Sequence, residues 1–275
     1  MKIQVVSDLH LEFSDTEKKF DNPNSADLLV LSGDIIVAKK GDPHGFFARI
    51  ADHYQDIVYV AGNHEYYGGT WDKTLDLVRA VVAPYSNIHF LENQTVDIGG
   101  VKFVGTTLWT DMNKQDPVIR YYIQHGMNDY RQIFNVAADR RLSPLDTIQR
   151  HLESVSYIRD TVDADPTARY VVVGHHSPTM LSVHPQYKDS DITAAFASDL
   201  SEFILDRPQI KLWTCGHTHH AHWYYMGETL VVCNPRGYET HQGSENPTWN
   251  PNLVLDLDDL PDKSTVEQEL FKENF

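Results

Sequence analysis

Five short polar motifs, each placed directly after an apolar run, constrain this chain most. They are Asp8-Leu9-His10, Gly33-Asp34, Gly62-Asn63-His64-Glu65, Gly174-His175-His176 and Gly216-His217-Thr218-His219. The runs before them are short and rich in β-branched residues, which is typical of buried strands. In open α/β sheets the ligand site lies beyond the carboxyl ends of the strands, so distant motifs can meet in one crevice. We therefore predict that the five motifs form a single site.

The apolar runs and the segments between them predict an α/β fold. The predicted strands cover residues 3–7, 28–32, 57–61, 170–173 and 210–215. Helical spacing of apolar residues follows the second and third strands, at 46–54 and 71–82. Because strand and helix alternate, we expect a largely parallel or mixed sheet.

Two glycine-containing turns predict β-hairpins. Gly99-Gly100 separates the runs 96–98 and 101–104, and Gly227-Glu228 separates 223–226 from 229–232. Glycine supplies the positive φ angles of a two-residue turn. The two hairpins indicate a second sheet.

Residues 111–163 are polar, aromatic and mostly helical in pattern, with a helix expected from about Pro144, a favourable first-turn residue. Two interpretations are open. The segment is either a lid or substrate wall over the site, or an additional helical layer that packs its aromatic residues into the core. After Asp256 the acidic tail is expected to fray or to pack on the outside.

The whole chain has the composition of a folded protein. It has 275 residues, 41% hydrophobic and 23% charged, and no Gly/Ser/Pro-rich linker separates Asp8 from His219. We expect one domain over 1–275. No apolar stretch is long enough to span a bilayer, and Met1-Lys2 lead straight into a strand pattern, so we expect no membrane association and a cytoplasmic location. The oligomeric state is left open.

Charge and cysteine content narrow the partners and the chemistry. The formal net charge of −16 would repel a long polyanion, because non-specific nucleic-acid affinity comes mainly from Lys and Arg. A small phosphate ester is therefore favoured over nucleic acid as the substrate. Cys215 and Cys233 lie in apolar runs, where buried free thiols are expected and a disulfide is the less favoured alternative.

The residue types in the motifs are those of a metal site. Asp8 and His10 lie two apart on an extended strand end, so both side chains can reach one ion. A carboxylate with imidazoles suits Mn, Fe, Zn or Ni. Asp34 has two oxygens and can bridge to a second ion, and Asn63 is a neutral ligand that preserves Lewis acidity. The set is completed by His175, His217 and His219.

The glycines before four of the motifs allow sharp turns and close backbone approach. Taken singly, each Asp, Asn or His has an ordinary explanation as a turn cap, surface residue or core residue. Their joint occurrence after five predicted strands favours the functional interpretation.

The motif set resembles that of the calcineurin-like metallophosphoesterase superfamily, over about residues 1–234. The resemblance implies a four-layer sandwich of two mixed β-sheets flanked by helices, here with a helical insertion around 111–163. It also implies two divalent metal ions. The first would be held by Asp8, His10, Asp34 and His219, and the second by Asp34, Asn63, His175 and His217.

His64 matches the catalytic histidine of that superfamily. Its expected role is to stabilise charge on the phosphoryl group or to protonate the leaving oxygen, and the alternative is a structural hydrogen bond at the turn. The implied activity is hydrolysis of a small phosphomonoester or phosphodiester through a metal-bridging hydroxide.

The chain departs from the phosphoprotein phosphatases of the superfamily, which carry Asp and Arg shortly after the second motif. Here Asp34 is followed by residues 35–39 of sequence IIVAK, so the carboxylate expected to orient His64 and the phosphate-gripping arginine are missing there. Arg236 is a candidate for a bidentate phosphate contact, with a solvated loop arginine as the alternative. His176 is a second candidate near the substrate, with a supporting role beside the ligands as its alternative.

Two other functions are considered. A metal-dependent nuclease would use the same chemistry, but it needs a positively charged groove, and this acidic sequence does not indicate one. A catalytically silent binding module on the same fold has no need of His64 together with every ligand, and the complete set therefore disfavours it.

Overall fold

The computed structural model describes residues 1–13, 26–240 and 243–266. A first sheet of five strands contains three of the motif-bearing strands. Its order is β15 (Val254–Asp256), β1 (Lys2–Val6), β2 (Leu28–Ser32), β3 (Asp56–Val60) and β4 (Ile88–Phe90). Strands β1 to β4 pair in parallel, and β15 is antiparallel to β1. The motifs after β1, β2 and β3 therefore lie at one edge of this sheet.

A second sheet has six strands. Its order is β11 (His222–Met226), β12 (Thr229–Cys233), β10 (Ile210–Cys215), β9 (Arg169–Val173), β6 (Val101–Gly105) and β5 (Gln94–Ile98). The four central strands are parallel, and an antiparallel hairpin forms each edge. Both predicted hairpins are thus confirmed, with Gly99, Gly100 and Gly227 at positive φ.

Seven α-helices, six three-residue 3₁₀ helices and two short strand pairs complete the described part of the chain. The helices are α1 (Phe46–His53), α2 (Thr74–Val82), α3 (Met112–Gln115), α4 (Pro117–Gly126), α5 (Asp129–Gln132), α6 (Pro144–Ala164) and α7 (Ser201–Leu205). The strand pairs are β7 (Phe134–Asn135) with β8 (Arg140–Arg141), and β13 (Glu239–Thr240) with β14 (Gly243–Ser244). Helix α6 begins at the predicted proline and carries a capping box between Ser143 and Asp146.

The two sheets pack face to face, and helices cover both outer faces. In β2, Leu28 faces the other sheet, whereas Leu29 joins a core that includes α1 and α2. In β9, Val171 faces the first sheet and Val172 packs with α6 and α7. Because both faces of each central strand are covered, the strands are apolar throughout rather than alternating. The predicted four-layer sandwich is confirmed.

The helical segment 111–163 contributes to both outer cores, since the later part of α6 covers the second sheet and the rest of the segment packs with the first. Ile123, Tyr130 and Ile148 are buried in the core shared with the first sheet, while Tyr121 and Tyr122 are exposed. Among the described residues, no helix has the length and apolar character needed to cross a bilayer.

The expectation that the chain frays or packs on the outside after Asp256 is wrong for Leu257 and Val266, whereas residues 258–265 between them are exposed or half-buried. Leu257 and Val266 are buried between the two sheets, and β15 extends the first sheet. These two apolar residues fill the core between the sheets although their neighbours in sequence are acidic. Nothing in the local sequence indicated that they are buried.

Candidate metal centre

The five motifs meet where the carboxyl ends of the parallel strands converge. The motif residues form two groups, and within each group all ligating atoms lie within 4.8 Å of one another. The first group is Asp8, His10, Asp34 and His219, and the second is Asp34, His175 and His217. Asn63 joins the second group, since its Oδ1 lies 3.1 Å from Nε2 of His175. The structure brings all the predicted ligands together in two groups that share Asp34.

The backbone is strained at most of these residues. Positive φ angles occur at Asp8 (51°), His10 (47°), Asp34 (56°), His217 (66°) and His219 (49°). Such angles are uncommon outside glycine and cost about 1–3 kcal/mol each. Strain of this kind persists only where the surrounding structure enforces it, and it concentrates at functional sites.

The motif glycines allow the backbone of one motif to contact the side chain of another. A Cβ at Gly62 would lie 2.1 Å from Asp34 Oδ1, one at Gly216 would lie 2.4 Å from Asp8 Oδ2, and one at Gly33 would lie 2.5 Å from His175 Nδ1. Close approach therefore holds for these three glycines. At Gly174 the nearest atom would be 3.4 Å away, which is an ordinary contact.

In the first group, two imidazole nitrogens face each other. Nε2 of His10 lies 3.1 Å from Nε2 of His219, and Asp8 Oδ1 lies 3.3 Å from the same His219 atom. Nδ1 of His10 donates to Glu12 (3.2 Å), and Nδ1 of His219 donates to Glu245 (2.6 Å). Each Nε2 is therefore the atom directed into the group.

The pKa values of the two histidines in this group shift in opposite directions. Burial lowers the pKa of His10 to about 4, so that its ring is neutral near pH 7. Burial also disfavours charge on His219, but hydrogen bonds to Asp8 and Glu245 outweigh it and raise its pKa to about 9. A divalent cation fits the same position, because two carboxylates and an imidazole lone pair surround it.

In the second group, acceptor atoms of Asp34, Asn63 and His175 converge. Nδ1 of His175 donates to the Ser32 carbonyl at 2.8 Å, which leaves a lone pair on Nε2. That atom faces Asn63 Oδ1 at 3.1 Å and Asp34 Oδ1 at 3.5 Å. Nε2 of His217 is buried and has no hydrogen-bond partner among the described residues. The donor set fits a second divalent cation.

The pKa shifts of Asp34 and His175 indicate that the second group would also be stabilised by a cation. Burial raises the pKa of Asp34 well above its usual range, and the charges of Glu65 and Asp8 raise it further. Burial likewise lowers the pKa of His175 to about 4. A cation would relieve the repulsion among the carboxylates while the neutral imidazole remains available as a ligand.

The side chain of His64 is held by a carboxylate that sequence reasoning missed. Its Nδ1 lies 2.9 Å from Glu12 Oε1, and its Nε2 lies 3.0 Å from the Tyr238 hydroxyl. Burial opposes ionisation of Glu12, but hydrogen bonds from His10 and His64 lower its pKa to about 2. The orienting carboxylate, absent after Asp34, is thus supplied from the first motif, and its position two residues after His10 was the available signal.

Glu65 joins the ends of β2 and β3. Its buried carboxylate accepts hydrogen bonds from the backbone N–H groups of Asp34 (3.0 Å), Ile35 (2.8 Å) and Gly62 (2.6 Å), and from the Tyr59 hydroxyl (2.7 Å). A Glu three residues after Gly62, reaching back as in a capping box, was the sequence signal for this role. Glu65 therefore fixes the two turns that carry Asp34 and Asn63.

Asp129 connects the helical segment to the second group. Asn63 Nδ2 donates to Asp129 Oδ1 at 2.8 Å and to the Tyr67 hydroxyl at 3.1 Å. These contacts turn the amide so that its oxygen faces His175. No motif surrounds Asp129 in the sequence, and its role depends on the packing of α5.

His176 lies behind the second group. Its ring stacks on Trp109 with centroids 4.9 Å apart, and it lies 4.3 Å from the ring of His217. Its Nδ1 donates to the Thr107 carbonyl at 3.2 Å. The side chain is buried, so these contacts support the ring of His217, and substrate contact stays a prediction.

Arg236 is only 1% exposed, so the alternative of a solvated loop arginine is wrong. Its Nη1 donates to the Leu9 carbonyl at 2.7 Å, and its Nη2 lies 2.9 Å from Glu239 Oε1. The guanidinium therefore supports the backbone between Asp8 and His10. Its predicted contact with substrate phosphate stays a prediction.

Comparison with known proteins agrees with this arrangement. The chain is 28% identical to uncharacterized protein L509 of Acanthamoeba polyphaga mimivirus over 287 residues, covering 94% of this chain and 97% of that protein. It is 31% identical to the uncharacterized metallophosphoesterase Cj0846 of Campylobacter jejuni over 113 residues, covering 38% of this chain and 29% of that protein.

The fold is also that of a solved structure. Phosphopantetheinyl hydrolase (PptH) from Mycobacterium tuberculosis matches with a TM-score of 0.66 and 13% sequence identity, covering 86% of this chain and 89% of that one. A family model described as calcineurin-like phosphoesterase matches residues 1–221, which include all five motifs. The chain therefore belongs to the calcineurin-like phosphoesterase family and is a metal-dependent hydrolase of phosphate esters.

Proposed function

We propose that the chain is a dinuclear enzyme that hydrolyses a small phosphomonoester or phosphodiester, using two divalent ions drawn from Mn, Fe, Zn and Ni. The observation that carries this proposal is the convergence of two groups of ligating atoms on Asp34. When bound, such ions neutralise charge on the phosphoryl oxygens and activate water for attack.

The two oxygens of Asp34 support a bridging role. Oδ2 lies 3.9 Å from Nε2 of His10 in the first group, and Oδ1 lies 3.5 Å from Nε2 of His175 in the second. One ion would be held by Asp8, His10, Asp34 and His219. The other would be held by Asp34, Asn63, His175 and His217.

His64 is the proposed catalytic side chain. Glu12 holds its Nδ1, so Nε2 is the atom left to meet the substrate, where the Tyr238 hydroxyl now binds at 3.0 Å. The carboxylate fixes the tautomer and the orientation of the ring, as the carboxylate of a catalytic triad does for its histidine. His64 would then stabilise the phosphoryl oxygens or protonate the leaving oxygen.

A small substrate is favoured by the charge around the centre. The carboxylates of Glu12 and Glu245 lie next to the first group, and the net charge of the chain is −16. Positive charge at the centre would come mainly from the ions, so a long polyanion would gain little from the surrounding protein. The nuclease alternative has no comparable support.

The test is hydrolysis of paired chromogenic phosphate monoester and diester substrates by metal-stripped protein reloaded with Mn, Ni, Zn or Fe. We expect turnover only after reloading, and a fall of about 10²–10⁴-fold in His64→Ala with unchanged metal content. The ratio of monoester to diester turnover narrows the substrate class. No turnover of either ester by fully loaded protein would favour the binding-module alternative.

A further inference from the structure

A third group of ligating side chains lies outside the proposed catalytic centre. It consists of Cys215 on β10, Cys233 on β12 and His222 on β11, whose ligating atoms lie within 4.8 Å of one another. Cys215 pairs with Cys233 across the parallel strands, and Cys233 pairs with His222 across the antiparallel ones. The three side chains therefore form a row across one end of the second sheet. Both cysteines are buried free thiols, as the sequence predicted.

The imidazole of His222 is oriented so that its Nε2 could bind a metal ion. Its Nδ1 donates to the His220 carbonyl at 2.9 Å, so the lone pair is on Nε2. Nε2 is buried and has no hydrogen-bond partner among the described residues other than the Cys215 thiol. The ring stacks on Tyr224 with an angle of 14° between the planes. An oriented acceptor thus lies beside two thiols.

Ser177 adds a fourth polar group. It follows β9, the neighbour of β10, and its side chain is fully buried against the Cys215 thiol. Within the described ranges its hydroxyl oxygen has no hydrogen-bond partner other than the Cys215 thiol. Buried polar atoms are nearly always satisfied, and two that share one weakly bonding thiol point to a missing ligand.

We propose that Cys215, Cys233 and His222 bind one Zn²⁺ ion, with the Ser177 hydroxyl as a neutral fourth donor. Two thiolates and an imidazole are ligands that Zn²⁺ prefers, and four donors complete a tetrahedral site. Binding releases the two thiol protons to solvent. One Zn²⁺ with two thiolates carries no net charge, which suits a buried position.

The ion would stabilise the turn that carries two predicted catalytic ligands. Cys215 directly precedes Gly216-His217, and the sulfur of Cys233 lies 3.5 Å from the Gly216 carbonyl oxygen. His217 and His219 both hold strained, positive φ angles. A metal that joins β10, β12 and β11 at this point would hold the turn in place without contacting substrate.

Cobalt spectroscopy separates this site from the catalytic centre. The chain has only two cysteines, and the predicted catalytic ligands include no sulfur. Thiolate-to-cobalt charge-transfer absorption can therefore arise only from Cys215 and Cys233. The full-length, reduced, metal-stripped protein should show this band, and in Asp34→Ala, which should lose the catalytic ions, we expect it to saturate at one Co²⁺ per chain and to disappear on adding one equivalent of Zn²⁺. Asp34→Ala should retain the band.

Three variants complete the test. Cys233→Ser should lose most of the band, and His222→Phe, which keeps the ring stack on Tyr224, should weaken Zn²⁺ binding about tenfold or more. His220→Phe keeps the backbone carbonyl and should bind Zn²⁺ normally. Absence of the band in the unmodified protein, or unchanged Zn²⁺ affinity in His222→Phe, would overturn the proposal. Should Cys233→Ser fail to fold, the Zn²⁺ affinity of His222→Phe still tests the proposal. Neither the cobalt band nor the Zn²⁺ affinity depends on phosphoesterase activity.

Discussion

The carboxylate of Glu12 lies 2.9 Å from Nδ1 of His64, across 52 positions of sequence. The same oxygen lies 3.2 Å from Nδ1 of His10, a predicted metal ligand. A single buried carboxylate thus orients both a proposed catalytic side chain and a proposed ligand. Glu12 therefore aligns His64 with His10, the ligand beside it.

Replacing Glu12 with Gln should lower kcat about 10–100-fold, because a neutral amide holds Nδ1 of His64 less firmly than a carboxylate does. The measurement is kcat with metal content determined on the same samples. If Glu12 acts through His64, Glu12→Gln should have little further effect in a His64→Ala background. Equal and additive losses in both backgrounds would contradict this role.

Asp129 should matter for metal affinity although it is not a predicted ligand. Asp129→Ala removes the acceptor that orients Asn63, and we expect divalent-metal affinity to fall about 10–100-fold. Asp129→Asn keeps an acceptor oxygen and is the matched control, with a smaller loss. Metal titration of the two variants checks this, and equal affinity in Asp129→Ala and the unmodified protein would refute the connection.

The motif glycines should differ in their tolerance of alanine. Gly62→Ala would place Cβ 2.1 Å from Asp34 Oδ1, whereas Gly174→Ala meets nothing closer than 3.4 Å. We expect Gly62→Ala to lose metal binding and activity together, since the shared carboxylate must move. Gly174→Ala should keep most of both. Comparable activity in the two variants would show that backbone approach at Gly62 is not required.

Metal affinity should increase with pH between neutral pH and about pH 9, because hydrogen bonds to Asp8 and Glu245 raise the pKa of His219 to about 9 against the effect of burial. At neutral pH the metal-free ring holds a proton that the ion must displace. The apparent affinity should rise about tenfold per pH unit for each proton displaced, and flatten above the pKa.

Calorimetric titration in buffers of different ionisation enthalpy measures that proton release directly. Glu245→Gln removes one source of the raised pKa of His219 and should shift the pH dependence toward lower pH. Identical pH profiles for the variant and the unmodified protein would contradict the assignment of the proton to His219.

Much of the fold could be predicted because its central strands are covered on both faces. Runs such as residues 28–31 are continuously apolar, and the Gly99-Gly100 pair matches the positive φ angles of a hairpin turn. The three-residue strand Val254–Asp256 was not predicted, because so short a segment is a strand only by virtue of its partner β1. Burial of Val266 likewise depends on contacts remote in sequence.

Only the motif residues of the candidate site could be predicted from the sequence. Asp34 and His175 follow apolar strands and glycines, so their position was readable. Glu12, Asp129 and Glu245 support the centre from segments without such a pattern, and only tertiary packing brings them to His64, Asn63 and His219. Arg236 was recognised as important, but the structure directs its guanidinium to the backbone of Leu9.

The most direct test of the dinuclear centre is the number of Mn²⁺ ions bound per chain, measured with phosphoesterase activity in the unmodified protein and in Asp34→Ala. Mn²⁺ prefers oxygen and nitrogen donors to thiolates, so the cysteine cluster should contribute little to the count. We predict two ions and metal-dependent turnover in the unmodified protein, and loss of both in Asp34→Ala. A single bound ion at full activity, or an active Asp34→Ala enzyme, would contradict the account.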